Sequence, residues 1–369
     1  MHLAARRVAL VTGVTGQTGS YLVDLLLAKG IHCLFSESFL SYLHMYPGYE
    51  VHGVSRGTAS DVPARLAHVL NENVAQKLPF TLHHCDIMDV QAFTEILRAT
   101  NPDELYNLAA QSSVGVSFKQ PLETIRVDGL GVLSILETVR NLNPAIRIFL
   151  ASSSEIFGQT QQSPQTEDTK PRPCSPYAIA KLMAHCLARL YREAYGMFVC
   201  SGILYNHESS RRGSTFVTQK IVRAAVRISL GLQQTLRLGN LASGRDWGHA
   251  EDFAECAWRM LQTEVPEDFV VATGTSYTVR EFAQFAFKAV GLDLQFIGEG
   301  VEEVGVDTAT GVVLVEVDAD LFRPAEPNKI IGDFRQAREK LSWKPTRSLG
   351  SMIEEMVAAC RLELSKFSN

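Results

Sequence analysis

The sequence lacks an excess of basic residues, paired cysteine motifs and long apolar runs. Lys and Arg number 35 against 40 Asp and Glu, so the chain has no basic footprint for nucleic acid. The seven cysteines form no C-x-x-C pair, which favours reduced thiols over a disulfide framework or a metal site. No apolar stretch reaches the roughly 18 residues of a membrane span, and the run Val8–Val11 is too short for a signal peptide. We therefore expect a cytoplasmic protein without a metal that binds neither nucleic acid nor membranes.

Strand-like and helix-like segments alternate over the first 205 residues. The predicted strands are Val8–Val11, Val51–Val54, Thr81–His84, Glu104–Leu108, Ile146–Ala151 and Phe198–Leu204. The predicted helices are Tyr21–Ala28, Val90–Ala99, Leu130–Asn141 and Tyr177–Ala194. This alternation predicts an α/β protein with a doubly wound parallel sheet, the Rossmann arrangement.

The pattern becomes irregular after residue 205, which indicates a smaller C-terminal α/β lobe that binds substrate. We predict that the sheet domain covers 6–205 and that residues 248–275 return to it, with a strand near Phe269–Ala272. The smaller lobe then covers 206–247 and 276–362.

A glycine-rich loop joins the first predicted strand to the first predicted helix. It reads Gly13, Val14, Thr15, Gly16, Gln17, Thr18 and Gly19. The first glycine allows the tight turn, the second admits the pyrophosphate of a dinucleotide, and the third lets the helix pack on the strand. In this strand-loop-helix context the motif predicts a dinucleotide site, and its spacing is typical of short-chain dehydrogenases.

The second strand ends without the acidic residue that would bind the ribose hydroxyls of NAD. Arg56 stands there instead, and an arginine at this point accommodates the 2′-phosphate of NADP. Arg65 is a second candidate for that phosphate, and Asp86, after the third strand, is placed to meet the adenine. Small residues in Leu108–Ser112, at the end of the fourth strand, let the dinucleotide lie close. The sequence therefore predicts NADP as the cofactor.

Tyr177 and Lys181 form a Tyr-x-x-x-Lys pair that opens a helix after Ser175 and Pro176. One helical turn places both on the same face. The lysine ammonium is expected to lower the phenol pKa of Tyr177, so that the phenolate takes a hydroxyl proton while hydride leaves to the nicotinamide. Ser153, at a strand end, is placed to bond the same hydroxyl. The set predicts an enzyme that oxidises an alcohol.

Glu155 has no role in hydride transfer, so its position two residues after Ser153 indicates a further step. Oxidation at C4 of a hexose acidifies the proton on C5. A carboxylate there could remove that proton and return a proton to the departing C6 hydroxyl. Glu155 therefore favours a sugar dehydratase over an epimerase or a plain reductase.

Basic residues recur in the later loops. Lys220, Arg245 and Arg323 together suit a diphosphate, because arginine clamps phosphate oxygens in pairs. Glu326 could bond ribose hydroxyls.

Residues 31–48 interrupt the expected spacing. The residue that selects the cofactor usually follows the glycine motif by about 20 positions, whereas Arg56 follows Gly19 by 56 − 19 = 37. Removing 31–48, which number 48 − 31 + 1 = 18, leaves a normal helix-glycine-strand junction at Gly30 and Tyr49. The segment is either a helical excursion or oligomer contact, or an unspliced short intron whose removal keeps the reading frame.

These features resemble the GDP-mannose 4,6-dehydratase family of extended short-chain dehydrogenases, from Val8 to about Met356 apart from 31–48. The resemblance is carried by Gly13–Gly19, Ala151–Gly158, Ser175–Lys181, Gly202–Gly213, Leu238–Asp252 and Phe322–Glu326. It implies that the catalytic residues are Ser153, Glu155, Tyr177 and Lys181. It implies NADP contacts from Gly13–Thr18 and from Asp86, Ile87, Leu108, Ala109, Ala110, Gln111, Ser112, Lys181, His207 and Arg212. It implies that GDP-mannose is held by Asn206, Lys220, Arg245, Arg323 and Glu326.

The chain departs from the family pattern at several points. Where members carry Arg-Arg-Ser-Ser after the second strand, this chain has Arg56–Ala59, a segment that contacts the neighbouring subunit's cofactor in tetrameric members. Ser113 replaces a histidine, and Glu123 replaces a tyrosine near the nicotinamide. The resemblance implies a homo-oligomer, and these changes leave dimer and tetramer both open.

The implied reaction converts GDP-mannose into its 4-dehydro-6-deoxy derivative and water without net oxidation. Two alternatives stay open. A UDP-glucuronate decarboxylase also carries a Glu after Ser or Thr, although the segment Asn206–Gly213 argues against it. An inactive NADP-binding protein is the other alternative, and the intact Ser153, Glu155, Tyr177 and Lys181 argue against that.

Overall fold

The computed structural model describes residues 6–29, 48–57, 64–76, 78–322, 325 and 330–366. Its strands are β1 Arg7–Thr12, β2 Tyr49–Ser55, β3 Phe80–His84, β4 Glu104–Asn107, β5 Arg147–Ser153, β6 Val199–Leu204, β7 Asn206–Glu208, β8 Leu236–Leu238, β9 Gly244–His249, β10 Asp268–Val271, β11 Ser276–Thr278, β12 Leu294–Ile297, β13 Val304–Asp307 and β14 Val313–Val317. Its helices are α1 Gln17–Ala28, α2 Ala64–Gln76, α3 Val90–Thr100, α4 Val114–Lys119, α5 Pro121–Ile125, α6 Gly131–Leu142, α7 Pro176–Tyr195, α8 Val217–Ser229, α9 Ala250–Met260, α10 Val279–Ala289, α11 Arg335–Leu341 and α12 Leu349–Ser365.

The main sheet of the described residues is parallel throughout, in the strand order β10-β6-β5-β4-β1-β2-β3. The chain winds outward from β1 to β3 and then restarts at β4 on the other side of β1. This reversal is the topological switch point, and open α/β sheets bind ligands there, beyond the carboxyl ends of the strands. The predicted doubly wound α/β sheet is confirmed.

Helices cover both faces of this sheet, as the alternation of its apolar residues requires. On β1, Ala9 and Val11 pack into one core cluster, and Leu10 packs into another on the opposite face. Because both faces are buried, the inner strands are apolar along their length.

Two smaller sheets occur among the described residues, in the orders β12-β13-β14-β8 and β11-β9-β7. A third core cluster packs α8, α10 and α12 around Trp247, Phe282 and Met356. β10 pairs with β6 at the place where the sequence predicts a return to the main sheet. The boundaries of the two lobes stay a prediction.

The six strands predicted before residue 205 are confirmed to within two residues at each end. The helix predicted at Leu130–Asn141 is preceded by further helical structure. α5 and a π-helical segment, Arg126–Leu130, run directly into α6. Gly129 and Gly131 hide this continuity from the sequence pattern, since glycine is a poor helix former. The region after residue 205, where an irregular sequence pattern predicts a smaller α/β lobe, holds four helices of eleven residues or more within the described chain.

Residues 31–47 lie outside the described residues, so both interpretations of the insertion stay predictions. Among the described helices, none is both long enough and apolar enough to span a bilayer.

Candidate active site

The backbone of the glycine loop between β1 and α1 packs closely against neighbouring backbone segments. Gly13 has φ +64°, and a Cβ on it would lie 2.7 Å from the backbone of Leu108 and Ala109. A Cβ on Gly19 would lie 2.5 Å from the carbonyl oxygen of Gly13. Gly16 is the N-cap residue of α1, whose free N–H groups and positive dipole end favour an anion. The loop therefore has the geometry of a pyrophosphate cradle.

A cleft of about 380 Å³ opens at the switch point of the sheet, above this loop. It is lined by Gly13, Thr15, Gly16, Val54, Ser55, Arg56, Gly57, Cys85, Ile87, Leu108, Ala109, Ala110, Ser112 and Val127. The sequence anticipates nine of these as cofactor contacts: Gly13, Thr15, Gly16, Arg56, Ile87, Leu108, Ala109, Ala110 and Ser112. The small residues along β4 and the glycine cradle fit an extended dinucleotide.

Three other predicted cofactor residues support the cleft from outside its lining. Val14 is buried against Gly53 of β2, behind the loop. Asp86 accepts a hydrogen bond from the Met88 N–H at 2.9 Å. The Gln111 amide donates to the Ser113 carbonyl at 3.0 Å and to Thr124 Oγ1 at 3.1 Å. These residues hold the walls of the cleft, and their contacts with the cofactor stay a prediction.

The start of α1 is tied to β7 through His207. Its Nε2 lies 2.8 Å from Thr18 Oγ1, and its backbone carbonyl accepts from Gln17 Nε2 at 2.9 Å. Burial, helped by the charge of Arg212, lowers the pKa of His207 to about 4. His207 is therefore a neutral imidazole at physiological pH.

Arginine side chains gather beside the N-terminus of α1. Arg65 donates to the Thr15 carbonyl at 3.0 Å, and burial lowers the pKa of Arg65 with a further contribution from Arg212 and Arg211. Arg212 pairs with Glu208 at 3.1 Å. Mutual repulsion among guanidinium groups is relieved by a bound anion, so this cluster suits phosphate.

Arg56 extends from the end of β2 at the rim of the cleft, with its side chain 60% exposed. Its Nη1 lies 3.8 Å from Glu123 Oε1, and Glu123 also faces the Nε of Arg126 at 3.4 Å. The Glu123 carboxylate therefore faces the guanidinium groups of both Arg56 and Arg126. The sequence pattern does not predict this contact.

The ends of β5 and α7 bring the predicted catalytic residues together. Ser175 caps α7 by accepting from the Ala178 N–H, so that Tyr177 and Lys181 lie in the first turns of the helix. Lys181 Nζ donates to the Ala151 carbonyl on β5 at 3.0 Å. Ser153 ends β5, and its hydroxyl is hydrogen-bonded with Tyr177.

The expectation that Lys181 lowers the phenol pKa of Tyr177 stays a prediction. Burial raises that pKa well above its ordinary value, and the charge of Asp128 raises it further. The Ser153 hydrogen bond and Arg212 lower it. The Lys181 ammonium lies 5.8 Å from the centre of the phenol ring and donates to the Ala151 carbonyl.

Glu155 lies in the short 3₁₀ turn that follows β5. Its N–H donates to Ser153 Oγ at 3.2 Å, and its carboxylate acts electrostatically on Tyr177. Its Oε2 is buried without a hydrogen-bond partner among the described residues. Native structures rarely leave such an atom unpaired, and those that occur invite a functional explanation. An unpaired carboxylate oxygen beside a buried phenol is able to accept a substrate proton.

The structure describes three of the five predicted substrate-binding residues. Asn206 opens β7, and Lys220 lies on α8, where burial lowers its amine pKa against the opposing charge of Asp318. Arg245 on β9 is buried and donates to Ser243 Oγ at 2.7 Å. Arg323 and Glu326 lie outside the described residues. This part of the site stays a prediction.

Asp128 is a buried carboxylate of this centre that the sequence pattern did not single out. It acts electrostatically on both Tyr177 and Lys181. One signal was present in the sequence. Asp128, Val132 and Ile135 follow helical spacing, and the latter two are buried, which places Asp128 on an inward face.

Comparison with known proteins agrees with this geometry. A family model described as GDP-mannose 4,6 dehydratase matches residues 10–356. A GDP-mannose 4,6-dehydratase of Vibrio cholerae is 44% identical over 95% of this chain and 93% of its own length. A GDP-mannose 4,6 dehydratase 2 of Caenorhabditis elegans is 43% identical over 96% of this chain and 89% of its own length.

Solved structures share the fold at lower identity. A dTDP-glucose 4,6-dehydratase of Streptomyces venezuelae with bound NAD has a TM-score of 0.77 at 22% identity, over 97% of this chain and 98% of its own. A Pseudomonas aeruginosa protein named RMD, complexed with NADPH, has a TM-score of 0.71 at 19% identity, over 97% and 98%. The match to the family model extends over most of the sequence, and this chain therefore belongs to the GDP-mannose 4,6-dehydratase family.

Proposed function

We propose that this chain converts GDP-α-D-mannose into GDP-4-dehydro-6-deoxy-α-D-mannose and water. The observation that carries the proposal is the unpaired, buried Oε2 of Glu155 beside Tyr177. An alcohol dehydrogenase has no use for that carboxylate, whereas elimination of water requires a base near the carbon next to the oxidised one.

The cleft fits a nicotinamide dinucleotide, because Gly13, Gly16 and the small residues Ala109 and Ala110 line it and Gly16 is the N-cap residue of α1, where a pyrophosphate would lie. When bound, such a cofactor accepts a hydride from C4, later returns it to C6, and through its ring charge favours ionisation of a nearby phenol. Arg56, on the cleft rim after β2, would pair with the 2′-phosphate of NADP.

Tyr177 would take the proton of the C4 hydroxyl, and Ser153 would orient that hydroxyl by a hydrogen bond. Lys181 would orient the cofactor ribose and keep positive charge beside the phenol. All three side chains are buried, which excludes water from the reacting atoms and strengthens these interactions.

Glu155 would remove the C5 proton once C4 is a ketone. The electron pair left on C5 forms the C5–C6 double bond as the C6 hydroxyl departs, and that hydroxyl leaves as water with a proton from Glu155. Return of the hydride to C6, with transfer to C5 of the proton that Tyr177 took from the C4 hydroxyl, would complete the product. The cofactor ends in the state in which it began.

Lys220, Arg245 and Arg323 would clamp the diphosphate of the substrate, with Asn206 near the sugar and Glu326 on the ribose. Pairing of arginine with phosphate oxygens supplies both charge and direction. Following the family resemblance, we also propose a cytoplasmic homo-oligomer, either a dimer or a tetramer.

The direct test is incubation of the purified chain with GDP-mannose and a catalytic amount of NADP, followed by mass spectrometry. The proposal expects a product lighter than the substrate by one water, with no accumulation of reduced cofactor. A product of unchanged mass, or one formed with stoichiometric reduced cofactor, would show an epimerase or a dehydrogenase instead.

A further inference from the structure

A loop joins the two halves of the predicted reaction centre and docks away from it. It follows the turn that carries Glu155 and leads into α7, which carries Tyr177. A hydrogen bond from the Arg172 N–H to the Ile156 carbonyl, at 3.0 Å, closes its neck. Gln165, in the middle of this loop, is 1% exposed, although glutamine is mostly a surface residue. The steps above give this buried side chain no role.

Each polar atom of Gln165, in the backbone and in the side chain, has a hydrogen-bond partner. Its N–H donates to the Ile331 carbonyl, and its carbonyl accepts from the Asp333 N–H, both at 2.8 Å. Its Oε1 accepts from the Ile331 N–H and from the Tyr205 hydroxyl, both at 3.0 Å, and its Nε2 donates to the Gln162 carbonyl at 2.6 Å. Because a backbone N–H only donates and a carbonyl only accepts, these partners fix the orientation of the amide. Gln165 therefore binds its loop to two distant segments of the chain.

The first of these segments, 330–333, lies against β9 on both sides of Arg245. The N–H of its first residue donates to the Gly244 carbonyl at 3.4 Å, and the N–H of its third residue donates to Asp246 Oδ2 at 3.3 Å. Arg245 Nη1 donates to the same Gly244 carbonyl at 2.9 Å. The segment that Gln165 holds therefore supports the backbone from which the Arg245 side chain extends.

The second segment leads to Asn206. Tyr205 lies between β6 and β7, directly before Asn206, and is buried. A Cβ on Gly332 would lie 2.8 Å from its ring, so the ring has no room to move toward that side. The bond from the Tyr205 hydroxyl to Gln165 therefore fixes the start of β7. Two predicted substrate residues, Asn206 and Arg245, are thus both connected to one buried amide.

We propose that Gln165 is a positioning residue for the sugar nucleotide, which places Asn206 through Tyr205 and Arg245 through the segment 330–333. The lining of the described cofactor cleft includes neither Gln165 nor Tyr205. The effect of Gln165 should therefore fall on GDP-mannose and not on the dinucleotide. This inference rests on the function proposed above for the identity of the ligand, whereas the hydrogen bonds belong to the free protein.

The first test is Gln165→Leu, which places an apolar side chain of similar size in the loop. It leaves the Ile331 N–H and the Tyr205 hydroxyl buried without their acceptor, and the segments that carry Asn206 and Arg245 should shift in response. We expect the Kd and KM for GDP-mannose to rise by about tenfold. The single-turnover rate of cofactor reduction at saturating GDP-mannose should stay within about twofold of wild type, the pattern of lost uniform binding. Unchanged affinity for GDP-mannose would overturn the proposal.

NADP affinity separates positioning of the substrate from a general disturbance of the fold. His207, the predicted cofactor contact that follows Asn206, is held to α1 by its own contact with Thr18 at 2.8 Å. The Kd for NADP in Gln165→Leu should therefore stay within about twofold of wild type. A loss of NADP affinity as large as the loss of GDP-mannose affinity would contradict the positioning role.

Two further variants test whether hydrogen bonding is the cause. Gln165→Glu keeps an oxygen that accepts from both donors, and its protonated form also donates to the Gln162 carbonyl, so it should restore most of the affinity. Gln161→Leu is the matched control, because it makes the same replacement at an exposed glutamine of the same loop and should leave GDP-mannose affinity unchanged. A Gln165→Glu variant that binds as weakly as Gln165→Leu would reject the hydrogen bonds as the cause.

Hydrogen exchange reports on the contacts without any substrate. In nucleotide-free protein, the Ile331 amide should exchange at least about tenfold faster in Gln165→Leu than in Gln161→Leu, and equal rates would overturn the proposal. If Gln165→Leu does not fold, Tyr205→Phe carries the test. It removes one bond and should weaken GDP-mannose binding by about threefold, and unchanged binding would again overturn the proposal. Binding of GDP-mannose that depends on Gln165, without release of water, would remove the proposed function and leave the positioning role intact.

Discussion

At the residue scale, the predicted reaction centre contains buried polar atoms without hydrogen-bond partners among the described residues, and such atoms lower the stability of a protein core. Glu155 Oε2 and Asp128 Oδ2 are both buried without partners in the described structure. Leaving a buried polar group unsatisfied costs about 1–3 kcal/mol. Residues that break the packing rules without local compensation are expected where function selects them. This cost in folding free energy therefore indicates that both carboxylates interact with a ligand that enters the cleft.

We expect one residue, Arg56, to decide the cofactor preference. Arg56→Ala removes the guanidinium expected to pair with the 2′-phosphate, a charge-assisted bond of about 1.5–3 kcal/mol. We predict that wild-type protein binds NADP at least about tenfold more tightly than NAD and that the variant loses this preference. Binding of both cofactors is measured by fluorescence quenching or calorimetry.

Arg126→Ala is the matched control for this prediction. Arg126 shares the partner Glu123 with Arg56 but does not line the cleft. Its replacement should leave the NADP preference unchanged. Equal affinity of the wild type for NAD and NADP would reject Arg56 as the selecting residue.

At the element scale, the junction between α1 and β2 is longer than the fold requires. α1 ends at Ala28 and β2 begins at Tyr49, whereas loops from helix to strand in α/β units usually take 2–6 residues. Residues 31–48 include eight aromatic or branched aliphatic side chains, and none has a proposed role in catalysis or binding.

We predict that the deletion variant joining Gly30 to Tyr49 is at least as active, more soluble and more stable than the full chain. The reason is that exposed apolar segments promote association. Activity, light scattering and thermal melting measure the three properties, and transcript sequencing should show the spliced form as the main message. Failure of the variant to fold, together with transcripts that always retain the segment, would make it a structural element.

The main sheet was predictable because its evidence is local. Glycine spacing at Gly13–Gly19 and short apolar runs are properties of neighbouring residues, and they fixed β1, α1 and the parallel strands. The Tyr177 and Lys181 pairing followed equally from helical geometry. Contacts between distant segments were not predictable from local sequence patterns. Examples are the approach of Glu123 to Arg56 and the bond between Lys181 and the Ala151 carbonyl.

At the scale of the whole molecule, α12 is bonded to the segment that follows β7 and to the end of β9. Glu355 on α12 lies 3.1 Å from Nε2 of the fully buried His249 and accepts from Ser210 Oγ at 3.0 Å. The hydrogen bond with His249 lowers the pKa of Glu355 to about 2. Its pKa in the unfolded chain is near the ordinary 4.5.

A carboxyl group whose pKa is depressed by folding stabilises the native state above its unfolded pKa, and this contribution disappears as pH falls through the folded value. We therefore predict that Glu355→Gln lowers the free energy of unfolding near pH 6 and that its difference from wild type shrinks between about pH 4.5 and pH 2. Urea unfolding across this range measures it. Glu354→Gln, on the exposed face of the same helix, is the control, and a difference independent of pH would contradict the linkage.

The central claim is that oxidation and elimination use different residues of one site. Glu155→Gln should still reduce bound NADP in a single turnover with GDP-mannose, because Ser153, Tyr177 and Lys181 are intact. Release of water should fall by about 10²-fold or more, the usual contribution of a general acid–base group. Glu167→Gln is the control, because it neutralises a half-buried glutamate bonded to β10. It should reduce NADP and release water as the wild type does.

The decisive measurement is that single turnover, followed at once by the absorbance of the reduced nicotinamide and by the mass of the sugar nucleotide. The account predicts that Glu155→Gln accumulates reduced cofactor and a 4-dehydro sugar that still contains its C6 hydroxyl. Dehydration by Glu155→Gln at the wild-type rate would contradict it.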